Sequence, residues 1–391
     1  MTTLRIGIIG FGWMGQAHAR SYLRIPTLFP DAPVTPQLTI VADPVAAQRT
    51  LAVEHFRVAH ATSDWQEVIA HPDVDVVDIT APNALHLPLV QAAAAAGRAV
   101  FCEKPVGKVP AETIAAEEVT RQAGVLTGVG YNYRWAPLVQ HMRALLDAQR
   151  LGRLTHYRGR FFSMYGQDPL GTLSWRYQQD AGYGVLTDLM SHVIDMAHFL
   201  VGPIARVAAA RDIFIPTRPL PPRGGASHYA HGRPGDPTGA VTNEDYAAAL
   251  IEFANGARGV LEADRTMVGP ASQMAFDIHG RGGAARWNLE DMNRLDLCLL
   301  DDPTHQGYRR ILAGDRFGAH GAFVPGTGNP IGFEDLKTIE ALQFLRSVAG
   351  GVQGVPGMAE ARAVAEVQTA MIRSWASNAW EDVGADDAAA R

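Results

Sequence analysis

Asp188 and His192 stand four residues apart in "VLTDLMSHVID". On a helix that spacing puts both side chains on one face. Asp195, three residues beyond His192, has similar reach. An imidazole titrates near neutrality, so a histidine oriented by a carboxylate suits proton transfer to and from a hydroxyl. Taken alone, such a pair is more often a solvated or capping pair, and the rest of the chain has to decide.

A second chemical feature precedes it. "IGIIGFGWMGQAHARSY" (Ile6–Tyr22) carries Gly10, Gly12 and Gly15 in the pattern G-x-G-x-x-G. One glycine makes the turn, one lets backbone approach a pyrophosphate, and one lets strand and helix pack closely. The phosphates then meet free N–H groups at a helix N-terminus, so Phe11, Trp13 and Met14 are expected beside a dinucleotide. Asp43 closes the next strand, where a carboxylate accepts bonds from the adenosine ribose. It repels a 2′-phosphate, which favours NAD over NADP. The 28 residues from Gly15 to Asp43 exceed the usual gap of about 20. "RIPTLFPDAPVTPQ" accounts for the excess as an enlarged helix-to-strand connection.

The elements that must position these residues read as alternating strands and helices. Leu4–Gly10, Gln37–Pro44, Asp75–Pro82 and Ala99–Pro105 are strand-like, and Val125–Arg134 follows them. Met14–Arg24, Ala46–Phe56, Leu87–Gly97 and a segment from Ala111 are helix-like. That order predicts an α/β fold with a doubly wound parallel sheet. After about residue 135 strands follow one another, as in "THYRGRFF", "YAAALIEF", "RGVLEADRT", "QMAFDIHG" and "RLDLCLL". Asn255-Gly256 marks a hairpin between two of them. The expected division is a dinucleotide domain over 1–134, an α/β domain with an open, mostly antiparallel sheet over 135–383, and a flexible tail over 384–391. The second domain should begin with a helix near Pro137–Ala148. Pro216–Val241 holds six prolines and five glycines and reads as a long loop.

Composition narrows the partners. The 391 residues are 47% hydrophobic and 19% charged with a net charge of -6, which argues against nucleic acid and anionic membranes. No apolar run of about 20 residues and no signal peptide is read. Cys102 and Cys298 are the only cysteines, which fits a cytoplasmic protein and excludes a cysteine-rich zinc site. His228 and His231 lack companion ligands, so no metal site is expected.

By "CEKP" (Cys102–Pro105) the chain resembles the Gfo/Idh/MocA family of nicotinamide-dependent oxidoreductases. The other carriers are the glycine motif, "TAPNALH" (Thr80–His86), "YNYR" (Tyr131–Arg134), "WR" (Trp175–Arg176) and "DLMSHVID" (Asp188–Asp195). The resemblance implies a Rossmann domain followed by the open-sheet domain. It places Thr80, Ala81, Pro82, Asn83, His86, Glu103, Lys104 and Asn132 along the cofactor, with a cis bond before Pro105. Trp175 and Arg176 would reach cofactor or substrate, and Lys104, Asp188 and His192 match the catalytic set. "LSWRYQ" and "SHVIDMAHFLVG" are similar to the levoglucosan dehydrogenase branch, which oxidises an anhydrosugar with NAD. Two positions depart from the family pattern: Tyr183, between Gly182 and Gly184, and Met190, before Ser191.

Oxidising a secondary alcohol requires a base for the hydroxyl proton and an acceptor for the hydride. His192 is read as acid/base, Lys104 as the group stabilising alkoxide charge, and Asp188 as orienter, with Lys104 and His192 able to exchange roles. Tyr133, Arg134, Trp135, Arg160, Trp175 and Tyr308 are candidate sugar contacts. The leading expectation is an NAD-dependent dehydrogenase for a sugar, anhydrosugar or cyclitol, assembled as a homodimer or homotetramer. The alternatives are a glycosidase that retains NAD and oxidises transiently, and a non-catalytic dinucleotide or sugar sensor.

Overall fold

Ile6, Ile8, Val76, Val77, Ile79 and Val100 are fully buried. Strands this apolar must be covered on both faces, as in a parallel sheet flanked by helices. The computed structural model describes residues 2–221, 230–301, 304 and 306–385. Its first sheet contains β1 (Thr2–Ile9), β2 (Val34–Ala42), β3 (His60–Thr62), β4 (Val76–Ile79), β5 (Ala99–Cys102) and β6 (Thr127–Val129). All pairings in it are parallel, in the order β3-β2-β1-β4-β5-β6. The order reverses between β1 and β4, and the crevice at the carboxyl ends of such strands is where open α/β sheets bind ligands.

Two compact units divide the chain. The first comprises 1–107, 111–137 and 313–363, and the second 108–110, 138–312 and 364–391. A single boundary near residue 134 therefore does not describe the chain, which returns to the first unit late. The cause is the helix Phe333–Gly350. It contributes Ala341, Leu342, Phe344 and Leu345 to the core formed by Ile6, Ile8, Tyr22 and Phe101. Arg20 and Arg24 on the helix Trp13–Leu28 pair with Glu334 and Asp335, each at 2.6 Å.

The second unit is built on a nine-stranded sheet. Its strands are β7 (Leu154–Ser163), β8 (Ile204–Asp212), β11 (Tyr246–Phe253), β12 (Arg258–Asp264), β13 (Ser272–Gly280), β14 (Gly283–Asn288), β15 (Arg294–Leu299), β16 (Arg309–Leu312) and β17 (Glu381–Asp382). A separate two-stranded ribbon supplies β9 (Thr217–Pro219) and β10 (Thr238–Ala240). Only β7 and β12 pair in parallel, so the sheet is mixed and mostly antiparallel. The expected Asn255-Gly256 turn joins β11 to β12, with Gly256 at φ +87°. The helix expected near 137–148 spans Pro137–Asp147.

Two local readings change. "VLTGVGYNYR" forms only the short β6 and then a 3-10 turn, Asn132–Trp135. The presumed long loop at 216–241 contains the β9–β10 ribbon, and its residues 222–229, with His228, lie outside the described residues. The tail expected over 384–391 likewise lies outside them from residue 386.

Candidate active site

In the first unit the expected cofactor residues gather at strand ends. Gly10 follows β1, Asp43 follows β2, Thr80 follows β4, Glu103 and Lys104 follow β5, and the 3-10 turn follows β6. Gly10 has φ +92°, and a Cβ there would lie 2.7 Å from the Ala81 nitrogen. A Cβ on Gly15 would lie 2.2 Å from the Gly10 carbonyl oxygen. Gly12 instead faces open space and starts the helix Trp13–Leu28 without a side-chain cap. The glycines thus leave helical N–H groups uncovered, as a pyrophosphate requires.

The groups around this loop hold it in shape. The Thr80 hydroxyl donates to the Gly10 carbonyl at 2.6 Å. Asp43 is buried, and its two oxygens accept from the Phe11 N–H at 2.7 Å and the Val45 N–H at 2.8 Å. Its carboxylate is therefore a brace for the turn as well as a candidate ribose acceptor. The Phe11 side chain points into the core, edge-on to Phe56 at 5.1 Å, which leaves its backbone for the cofactor. Trp13 is exposed and stacks on Phe333 at 5.7 Å, and Met14 is half-buried in the first helical turn.

Two buried polar atoms point to a missing partner. Asn83 Oδ1 and Asn132 Nδ2 have no hydrogen-bond partner among the described residues. Together with the uncapped helix start, they fit a dinucleotide laid along the strand ends. His86 is a correction: both ring nitrogens lie 2.8 Å from backbone carbonyls, those of Pro105 and Ala81. It ties the Thr80–His86 segment to the turn after β5 rather than presenting nitrogen to a ligand. The Lys104–Pro105 bond is cis, as expected. Lys104 itself is half-buried, as are Ala81 and Trp135, while Pro82 is exposed. Tyr133 and Arg134 are 7% and 5% exposed, which leaves little of either for a sugar.

Glu103 faces inward. Its Oε1 accepts from His18 Nε2 at 3.0 Å and from the Lys337 ammonium, and its Oε2 accepts from the Lys104 N–H at 3.1 Å. His18 Nδ1 lies 2.9 Å from Asp78, to which Tyr22 also donates, and Lys337 donates to Glu340 at 3.0 Å. All these groups are buried. Burial opposes charge on His18, but Asp78 and then Glu103 outweigh it and hold the imidazole up at about 9. Burial alone would raise Glu103, yet the Lys337 charge and the His18 bond hold it well below the usual carboxylate range. Burial pushes Glu340 up. His18, Glu103 and Glu340 converge closely enough to hold a metal ion, and the Lys337 ammonium supplies positive charge to two of them.

In the second unit Asp188 closes the short helix Val185–Asp188, and His192 lies in the first turn of Met190–Leu200. The continuous helix expected from their spacing is broken at Leu189, whose carbonyl accepts from the His192 N–H at 3.1 Å. Asp188 Oδ2 accepts from the Tyr165 hydroxyl at 3.3 Å and lies 3.7 Å from Arg176. The Arg176 guanidinium lies over the exposed Trp175 ring at 4.5 Å. His192 is buried, 5.9 Å from the Phe161 ring. Burial and then Asp188 push the Tyr165 phenol up, so it donates rather than ionises.

The departures from the family pattern cost no space here. A Cβ on Gly184 would lie 2.1 Å from the Glu244 carbonyl, and Gly182 has φ +125°, so both glycines remain necessary. Tyr183 turns toward Trp375, with ring centroids 6.2 Å apart, and Met190 is fully buried.

Two candidate contacts are corrected by the pleat of the second sheet. Arg160 and Phe161 are neighbours on β7 and point to opposite faces. Arg160 pairs with Asp277 at 2.7 Å, on the face away from the Phe161–His192 contact. Asp277 is the cross-strand partner of Arg286, whose guanidinium covers Tyr308 at 4.5 Å, so Tyr308 is bound to that far face too.

Sequence reasoning missed His18, Asp78, Lys337 and Glu340, because nothing in their spacing announces a cluster joined across more than 300 positions. It also missed Arg265, which is buried. Arg265 pairs with Asp245 at 2.7 Å and donates to the Arg176 carbonyl at 2.8 Å. The ribbon segment reinforces the same stretch: Arg218 donates to the Gly166 and Asp168 carbonyls, and the Pro219 carbonyl accepts from the Leu173 N–H. His231, which sequence left without a role, bonds Asp168 at 2.9 Å.

Comparison with known proteins agrees with the fold. A family model described as oxidoreductase family, NAD-binding Rossmann fold, matches residues 4–131. One described as GFO/IDH/MocA C-terminal domain matches residues 139–286. The chain is 35% identical over 386 residues to levoglucosan dehydrogenase of Pseudarthrobacter phenanthrenivorans, covering 98% of this chain and 99% of that protein. It is 26% identical over 284 residues to inositol 2-dehydrogenase of Rhizobium meliloti, covering 72% and 74% of the two chains. A solved structure of levoglucosan dehydrogenase in complex with NADH and levoglucosan matches with a TM-score of 0.91 at 33% identity. That match covers 98% of this chain and 100% of the other.

Proposed function

The chain belongs to the Gfo/Idh/MocA family of NAD-binding oxidoreductases, and from that premise we propose that it oxidises a ring secondary alcohol of an anhydrosugar or a closely related sugar or cyclitol. The observation that carries this reading is the full-length likeness to levoglucosan dehydrogenase. Bound nicotinamide supplies the hydride acceptor. The glycine turn and the helix start Trp13–Leu28 hold its pyrophosphate, and Asn83 and Asn132 offer an acceptor and a donor to its polar groups.

On this reading His192 takes the hydroxyl proton as the C–H bond to the same carbon breaks. The Lys104 ammonium steadies the charge that grows on the oxygen, by the electrostatic logic of an oxyanion site. Asp188, braced by Tyr165 and Arg176, keeps a negative charge available to the imidazolium that forms. Trp175 presents an aromatic face, which suits the C–H surface of a sugar ring. The test is a pair of variants, Lys104→Ala and His192→Ala. Each is expected to lose turnover by roughly a hundredfold or more while still binding NAD. Near-wild-type turnover in both overturns the assignment.

A further inference from the structure

The turn that carries Lys104 is set on a buried ionic chain. From end to end it runs Asp78, His18, Glu103, Lys337, Glu340, an alternation of acid and base with every member buried. Glu103 is its centre. One oxygen takes His18 and Lys337, and the other takes the Lys104 N–H. On its remaining side stands Gly130, where a Cβ would lie 2.7 Å from the carboxylate. The charged or titratable groups facing the chain include Tyr22, which donates to Asp78, Cys102, whose buried thiol donates to the Glu103 carbonyl, and the buried His86, on which the Glu103 charge acts.

A buried ionic chain adds little stability over an apolar core of equal volume. Its distinctive product is orientation: a carboxylate of fixed charge, bonded at both oxygens, at the end of β5. We propose that Lys337 is a positioning residue for Lys104, holding the Glu103 carboxylate so that the turn after β5 presents the Lys104 side chain in one direction. The inference rests on Lys104 acting in the reaction, as proposed above. It also gives a use to the late return of the chain, since Lys337 arrives on the helix Phe333–Gly350.

Lys337→Met leaves Glu103 with one compensating charge fewer, so Glu103 takes up a proton at higher pH than before. The expected result is stoichiometric NAD binding and a sugar KM within about twofold, with kcat down roughly tenfold to a hundredfold, the scale of a misplaced catalytic group. The acid limb of the kcat profile moves to higher pH, and Lys337→Arg recovers part of the loss. Gly130→Ala presses on the same carboxylate from the other side and is expected to lower kcat without raising KM; it serves as the test if Lys337→Met does not fold. Wild-type kcat and pH profile in the folded variant overturn the inference. Lys104→Ala run alongside separates the two levels. Full activity there removes the reading beneath, whereas an inactive Lys104→Ala beside unaltered Lys337→Met and Gly130→Ala overturns this inference alone.

Discussion

Replacing Asp43 by alanine is expected to weaken the protein before any cofactor is added. An acidic residue at this strand end is ordinarily regarded as a ribose ligand. Here the carboxylate also accepts two backbone N–H groups, from Phe11 at 2.7 Å and Val45 at 2.8 Å. Hydrogen bonds to a charged group are worth about 1.5–3 kcal/mol each. Asp43 is 8% exposed, so water re-satisfies part of what alanine leaves open, and a loss of about 2–4 kcal/mol is expected. For a unit of this size that lowers the thermal midpoint by roughly 5–15 °C. The Phe11 N–H is the hinge of the glycine turn, so the dissociation constant for NAD should also rise at least about tenfold, equivalent to 1.4 kcal/mol. The assay is thermal unfolding of the cofactor-free protein beside calorimetric titration with NAD. An unchanged midpoint with lost NAD affinity would mean that the carboxylate serves the ribose alone, and the bracing argument would fail.

Gly15→Ala places a Cβ 2.2 Å from the Gly10 carbonyl oxygen. Relief requires the phosphate turn to shift, at a cost of about 1–3 kcal/mol, and titration should show NAD affinity down roughly tenfold to a hundredfold. Stability should also fall with alkali. The folded pKa of His18 is raised from 6.5 to about 9, so its contribution is fully present below 6.5 and is lost as pH rises through about 9. The loss is on the order of 3 kcal/mol, and denaturant unfolding of wild type against His18→Asn reads it; equal slopes in the two proteins would contradict it. In the second unit, Arg265→Met strips the buried Asp245 of its guanidinium partner and leaves it the Ile215 N–H. It should cost about 3–5 kcal/mol in denaturant unfolding, and a loss under 1 kcal/mol would refute that role.

Much of this architecture is written locally. Glycine spacing after an apolar run marks β1 and its helix, because only glycine permits φ +92° at residue 10 and the close approach at residue 15. Asn255-Gly256 likewise announces its hairpin. What escapes is whatever depends on distant partners. Phe333–Gly350 falls inside the span 135–383 expected for the second domain, and only packing shows that it completes the first. Arg160 looks like a sugar ligand until the pleat turns it to the far face of β7 and Asp277 claims it. Asp188 and His192 sit at the expected spacing, but the break at Leu189 lies in backbone geometry that spacing does not encode. Glu103 was legible as part of "EKP"; its engagement with Lys337 and His18 was not, since a buried ionic chain has no sequence period.

The central claim, net hydride transfer from a ring alcohol to NAD, has a direct measurement. The wild-type protein is mixed with NAD and levoglucosan, and with other sugars and inositols in parallel, and the near-ultraviolet absorbance of reduced nicotinamide is followed while product is quantified. One reduced cofactor is expected for each ketone formed from at least one of these substrates. Turnover of a glycoside with no net change in absorbance, or no turnover of any polyol by protein that binds NAD, would contradict it.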